Sequence, residues 1–160
     1  MLQNDRIMKT IIIVSDFSME SFQVAEKIVS NSSEPVSILF THLFHVADDI
    51  QDLLFSNYRK KEYEFVSEQF YQDCEMLKRD FPDILKSIKV EFFYGSRLAL
   101  FKNFLDYNQA DYIAFSESYG IPKLAKSSID AMPVIRKAGI SLINTDKILS
   151  REFMDADNVR

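Results

Sequence analysis

Asp16 is the first residue whose type and place could do chemistry. It follows Thr10 to Val14, an unbroken β-branched run, and it precedes Phe17-Ser18. A carboxylate at the carboxyl end of a strand, just before a helix, stands where open α/β sheets bind ligands. Asp16 can therefore hold a ligand or a metal, or it can only cap the next turn by hydrogen bonding. His42 and His45 are the only histidines. Three apart in an extended strand, they face opposite ways. No His-Glu-x-x-His or Cys-x-x-Cys pattern surrounds them, so they do not read as a metal site. His45, nearer the strand end, is the better cleft residue. Asp48, Asp49 and Asp52 lack the glycine and the distal Glu of a calcium loop, and read as a solvated acidic turn. Ser116 and Ser118 sit in no Gly-x-Ser-x-Gly elbow, and no histidine comes after them. A triad in the order Ser, Asp, His is therefore excluded. Cys74, the single cysteine, cannot form an internal disulfide and falls on an apolar helix face, as a buried structural thiol would. No acid–base or nucleophile constellation emerges, and the reading leans away from an enzyme.

The elements that must position these residues are legible in the hydrophobic pattern. Thr10 to Val14 is apolar on both faces, which suits a central parallel strand covered on both sides. Ser18 caps a helix with Phe22, Ala25, Ile28 and Val29 on one face. Asn31 to Pro35 is a loop, and Val36 to Phe44 a second strand. A short apolar patch comes next at Ile50, Leu53, Leu54 and Phe55. A long amphipathic helix is predicted from about Tyr58 to Phe81, with Tyr63, Val66, Phe70, Leu77 and Phe81 on one side. Pro82 ends it. Ile88 to Tyr94 reads as the third strand, broken by Gly95-Ser96. Leu98, Phe101, Phe104 and Leu105 mark the next helix face. Asp111 to Phe115 is the fourth strand, closed by Ser116 to Gly120. Ile129, Met132, Ile135 and Ala138 mark a last helix, which Gly139 stops. Pro133 is harmless there if the helix starts near Asp130 and kinks it if the start is near Ser127. Ile140 to Asn144 is a short fifth strand.

This alternation of strands and helices, with long connections, predicts one doubly wound α/β domain with a five-stranded parallel sheet. It spans residues 1–146. A charged tail occupies 147–160, for which a short helix and disorder are both open.

Composition narrows the function classes. The 160 residues are 47% hydrophobic and 27% charged, as in an ordinary globular domain. The net charge of -5, without a Lys/Arg stripe, argues against a nucleic-acid partner. Arg59-Lys60-Lys61 is followed by Glu62 and Glu64, and reads as a solvated helix face. The 14 Phe, at helix and strand spacing, read as core rather than a base-stacking platform. No apolar run approaches the ~20 residues of a membrane span. The first ten residues, with Asp5, Arg6 and Lys9, carry no signal-peptide pattern. The expected compartment is the cytoplasm.

Five pieces in order resemble the universal stress protein family, over roughly residues 8 to 146. They are Ile11 to Ser18 with Ser21 and Ala25; Leu43-Phe44-His45-Val46; Phe93-Tyr94-Gly95-Ser96; Ala110-Asp111-Tyr112-Ile113; and Val134 to Ala138 with Ile140 to Ile143. The resemblance implies a sheet of order 3-2-1-4-5 with helices on both faces. It also implies a homodimer through the last strand, Ile140 to Asn144. Asp16 matches the family's adenosine-contacting Asp. The implied ligand cleft comprises Asp16, Phe17, Ser18, His45, Gly95, Ser116, Gly120, Ser127 and Ser128.

Family members that bind ATP carry Gly-x-x-Gly, nine residues, then Gly-Ser or Gly-Thr after the fourth strand. This chain departs from that pattern. Ser116, Glu117, Ser118 and Tyr119 precede a lone Gly120, and only six residues separate Gly120 from Ser127-Ser128. Side chains in place of glycines crowd a phosphate cradle, and Glu117 adds a like charge. The expected function is a regulatory or interaction module that takes a protein partner and does not bind ATP in the usual family way. The alternative is a nucleotide-binding stress protein, holding ATP or AMP with Mg²⁺, with at most slow hydrolysis. No cofactor is predicted under the first reading.

Overall fold

The computed structural model describes residues 8–46 and 63–148. The apolar patch at 50–55, the acidic turn at 48–52, the basic run at 59–61 and the tail beyond Ile148 lie outside the described residues.

The β-branched run folds as β1 (Lys9–Val14), and Ser18 caps α1 (Met19–Ser30) by accepting from the Ser21 N–H. β2 (Val36–Thr41) and β3 (Leu43–Phe44) come next. After a 3-10 turn at Tyr63–Phe65 come α2 (Glu68–Asp80), β4 (Leu85–Val90) and β5 (Phe93–Tyr94). The chain continues as α3 (Leu98–Tyr107), β6 (Tyr112–Phe115), α4 (Ala131–Lys137) and β7 (Ser141–Asn144).

The main sheet has the order β4-β2-β1-β6-β7, and every pair in it is parallel. Counted along the chain within this sheet, that is 3-2-1-4-5. β3 and β5 form a separate parallel pair.

β1 shows why the sheet must be covered twice. Ile11 and Ile13 enter an aromatic layer under α1 and α2, with Phe22, Phe40, Phe44, Phe70 and Phe92. Ile12 and Val14 enter a second layer under α3 and α4, with Leu39, Phe101, Ile113 and Ile135. Alternate side chains of one strand thus anchor two cores. In the first layer the rings meet edge to face, with Phe40 and Phe70 at 4.9 Å between centroids.

Several predicted boundaries shift, among them the start of the fourth strand, which is Tyr112 rather than Asp111. The second strand does not run unbroken to Phe44: it parts at His42, whose ring turns into a polar network. The third strand does not run from Ile88 to Tyr94. It begins at Leu85 and parts at Glu91-Phe92 before β5. The helix expected from Tyr58 is interrupted among the described residues. Ser67 caps a fresh start by accepting from the Phe70 N–H, so Tyr63 belongs to the 3-10 turn. The fifth strand starts at Ser141 rather than Ile140. The last helix begins at Ala131 after Asp130, which puts Pro133 in its first turn, where its missing N–H is no loss.

Candidate functional site

The carboxyl ends of β1, β2 and β6 converge where the sequence places a cleft. Asp16 stands there, and both of its oxygens are engaged by the chain itself. The Ser18 N–H (3.1 Å) and the Ser18 hydroxyl (2.6 Å) donate to Oδ1. The Tyr119 hydroxyl donates to Oδ2 at 2.6 Å. Asp16 therefore closes the loop before α1 by hydrogen bonding, while Ser18 caps the helix itself. Burial first, then the bond to Asp16, holds the Tyr119 phenol above its ordinary range, so it remains a donor at neutral pH.

Phe17, between Asp16 and Ser18, adopts a left-handed backbone with φ 61°. That conformation costs a bulky residue about 1–2 kcal/mol. Its N–H donates to Ser15 Oγ at 2.8 Å, and its ring packs edge-on against Phe70 and Phe92. Phe17 is buried, so its ring builds the floor of the turn.

His42 joins three segments beneath the cleft. Its Nδ1 lies 2.7 Å from the Ser15 carbonyl, and its Nε2 lies 2.8 Å from Ser128 Oγ. A carbonyl only accepts, so Nδ1 carries the proton. Ser128 Oγ already accepts from the N–H groups of Leu124 (2.9 Å) and Ala125 (3.1 Å). Its own proton therefore goes to Nε2, and the ring is neutral. Burial pushes the His42 pKa down, and the Ser15 bond and the Asp16 charge only partly oppose that. The backbone at this corner is also committed. The Ser128 N–H donates to the Ala125 carbonyl (3.0 Å), and the Ile129 N–H to the Leu43 carbonyl (2.8 Å).

The segment after β6 is a tight turn rather than an open cradle. The Gly120 N–H donates back to the Ser116 carbonyl at 2.8 Å, and Gly120 has φ 76°, which favours glycine. Residues just past β7 hold the turn from the side. Asp146 accepts from the Ser116 hydroxyl (2.6 Å) and the Ser118 N–H (2.7 Å), and these two bonds lower its pKa. Asn144 Oδ1 accepts from the Glu117 N–H at 3.2 Å.

The remaining predicted positions lie around this corner. Gly95 is buried after β5, and its N–H donates to the Phe44 carbonyl at 2.9 Å. His45 is exposed, and its N–H donates to the Ser127 carbonyl at 2.7 Å. Asp16, Ser18 and the turn that starts at Ser116 thus come together through Tyr119. Ser128 joins His42 instead, one layer deeper. Sequence reasoning missed His42, Tyr119, Asn144 and Asp146. Only Tyr119 left a signal, as the bulky residue where a glycine was expected.

Among the described residues, no group of three or more His, Cys, Asp or Glu could hold a metal ion. No described helix is long and apolar enough to cross a membrane.

The polar corner lies at the carboxyl ends of β1, β2 and β6 of a doubly wound parallel sheet, where open α/β folds take their ligands. The chain's fold is that of the universal stress proteins. A universal stress protein family member from Burkholderia pseudomallei superposes with a TM-score of 0.53 at 8% identity, covering 87% of this chain and 96% of that one. The hypothetical protein PH0823 superposes with a TM-score of 0.54 at 16% identity, covering 85% of this chain and 93% of that one. No protein-family model and no curated protein matches the sequence.

Proposed function

We propose that this chain is a universal-stress-protein-like regulatory or interaction module whose nucleotide corner has become a structural joint. One observation carries the reading. The Asp16 carboxylate, which would contact an adenosine, accepts from Ser18 on one oxygen and from Tyr119 on the other. A nucleotide would have to displace the Tyr119 hydroxyl and then find N–H donors. Those of Ser128 and Ile129 already face carbonyl oxygens. Exchanging bonds already made within the chain for bonds to a ligand returns little, so displacement is disfavoured. The module acts as a homodimer in this reading. β7 is a sheet edge and carries Leu142 at 39% exposure, which supports pairing there.

Calorimetric titration with Mg-ATP, ADP and AMP tests the reading, on the native chain and on Asp16→Ala. No saturable heat is expected. Saturable binding that Asp16→Ala abolishes would replace this reading with a nucleotide holder whose Tyr119 swings aside.

A further inference from the structure

We propose that the groove between α1 and α2 docks a basic amphipathic segment of a partner protein, an apolar anchor flanked by Lys or Arg. This gives the interaction-module reading a surface and a partner chemistry, and rests on that reading only for its setting.

The groove is a pit of about 170 Å³. Phe22 and Leu77 form its floor, and both are buried. Met19 and Met76 stand on its rim, each 53% exposed. Methionine thioethers are flexible and polarizable and adapt readily to an apolar partner.

Three carboxylates, Glu26, Asp73 and Asp80, line the same pit, and no basic side chain does. Asp73 accepts from the neutral Gln69 amide at 2.8 Å. Among the described residues no cation pairs with any of the three. Glu26 is held above the ordinary carboxylate range by burial and then by the charge of Asp73. A Lys or Arg beside this pair would relieve the repulsion, while an acidic or neutral segment would not. Among the described residues the three acids form no group that could hold a metal ion. The match is therefore an aliphatic or aromatic side chain in the pit with its flanking cations on the acidic rim.

The test uses the full chain and a synthetic leucine–lysine amphipathic helix, read by methyl NMR of the methionines. The Met19 and Met76 signals are expected to shift and saturate, while Met132, which packs under the opposite sheet face, stays put. Glu26→Gln with Asp73→Asn should weaken binding roughly tenfold, as two lost charge pairs would. Asp106→Asn with Asp130→Asn removes the same charge elsewhere and should leave affinity within about twofold. Several outcomes overturn the proposal: unmoved Met19 and Met76, equal weakening by both double variants, or equal binding of a leucine–glutamate helix. Shifts that appear with rising protein concentration alone would overturn it in favour of self-association. None of these results bears on the nucleotide titration, so the two readings fail separately.

Discussion

Replacing Ser128 with Ala should cost far more than an ordinary serine substitution. One buried hydroxyl serves three groups here: it accepts from the Leu124 and Ala125 N–H groups and donates to His42 Nε2. Ser128→Ala leaves all three without their partner: His42 Nε2 in a buried place and the Leu124 and Ala125 N–H groups in a part-buried one. At ~1 kcal/mol for each lost bond the loss is about 3 kcal/mol, with a range of ~2–4. That is a large share of the ~5–15 kcal/mol that holds a typical domain folded. Urea unfolding followed by circular dichroism measures it, with the midpoint moving down at unchanged slope. The double variant with His42→Ala should show coupling of at least ~1 kcal/mol, because the two side chains share a bond. A loss below ~1 kcal/mol, or additive single effects, would refute the three-way assignment of the hydroxyl.

Three further outcomes are expected. The folded-state pKa of His42 is lowered, so its contribution is fully present above the unfolded value of about 6.5 and lost as pH falls through the folded value. Urea midpoints should therefore decline on the acid side, and His42→Gln should flatten that limb; an equal slope in the variant would count against it. Leu142→Lys puts charge on the exposed β7 edge and should shift sedimentation towards monomer, and an unchanged profile would dismiss this interface. The Cys74 thiol is buried and pushed up to about 12, by burial first and then by Asp73 and Glu75. It should ignore a disulfide reagent at neutral pH in the folded protein and react fully in denaturant; fast reaction of the native chain would mean that α2 opens readily.

Hydrophobic period together with turn and cap residues gave the order of the five main strands and of the described helices, though not all of their ends. The run from Thr10 to Val14 could only be central, because both of its faces are apolar, and β1 does feed two separate cores. The stop at Ser15-Asp16 marked the polar corner, because polar residues end a buried strand, and Ser18 caps the helix after it. The parting of the strands at His42 and at Glu91-Phe92 was not legible. At the first a ring turns towards Ser15 and Ser128, 27 and 86 residues away, and at the second the Phe93 N–H donates to the His42 carbonyl. Whether the altered turn after β6 leaves its Asp free was also a tertiary matter. Tyr119 reaches Asp16 across 103 residues, and Asp146 fixes the turn from beyond β7. Local period comes from how side chains alternate along one element, so sequence carries it. A hydrogen bond between distant segments depends on where the whole sheet brings their ends, so only the folded chain decides it.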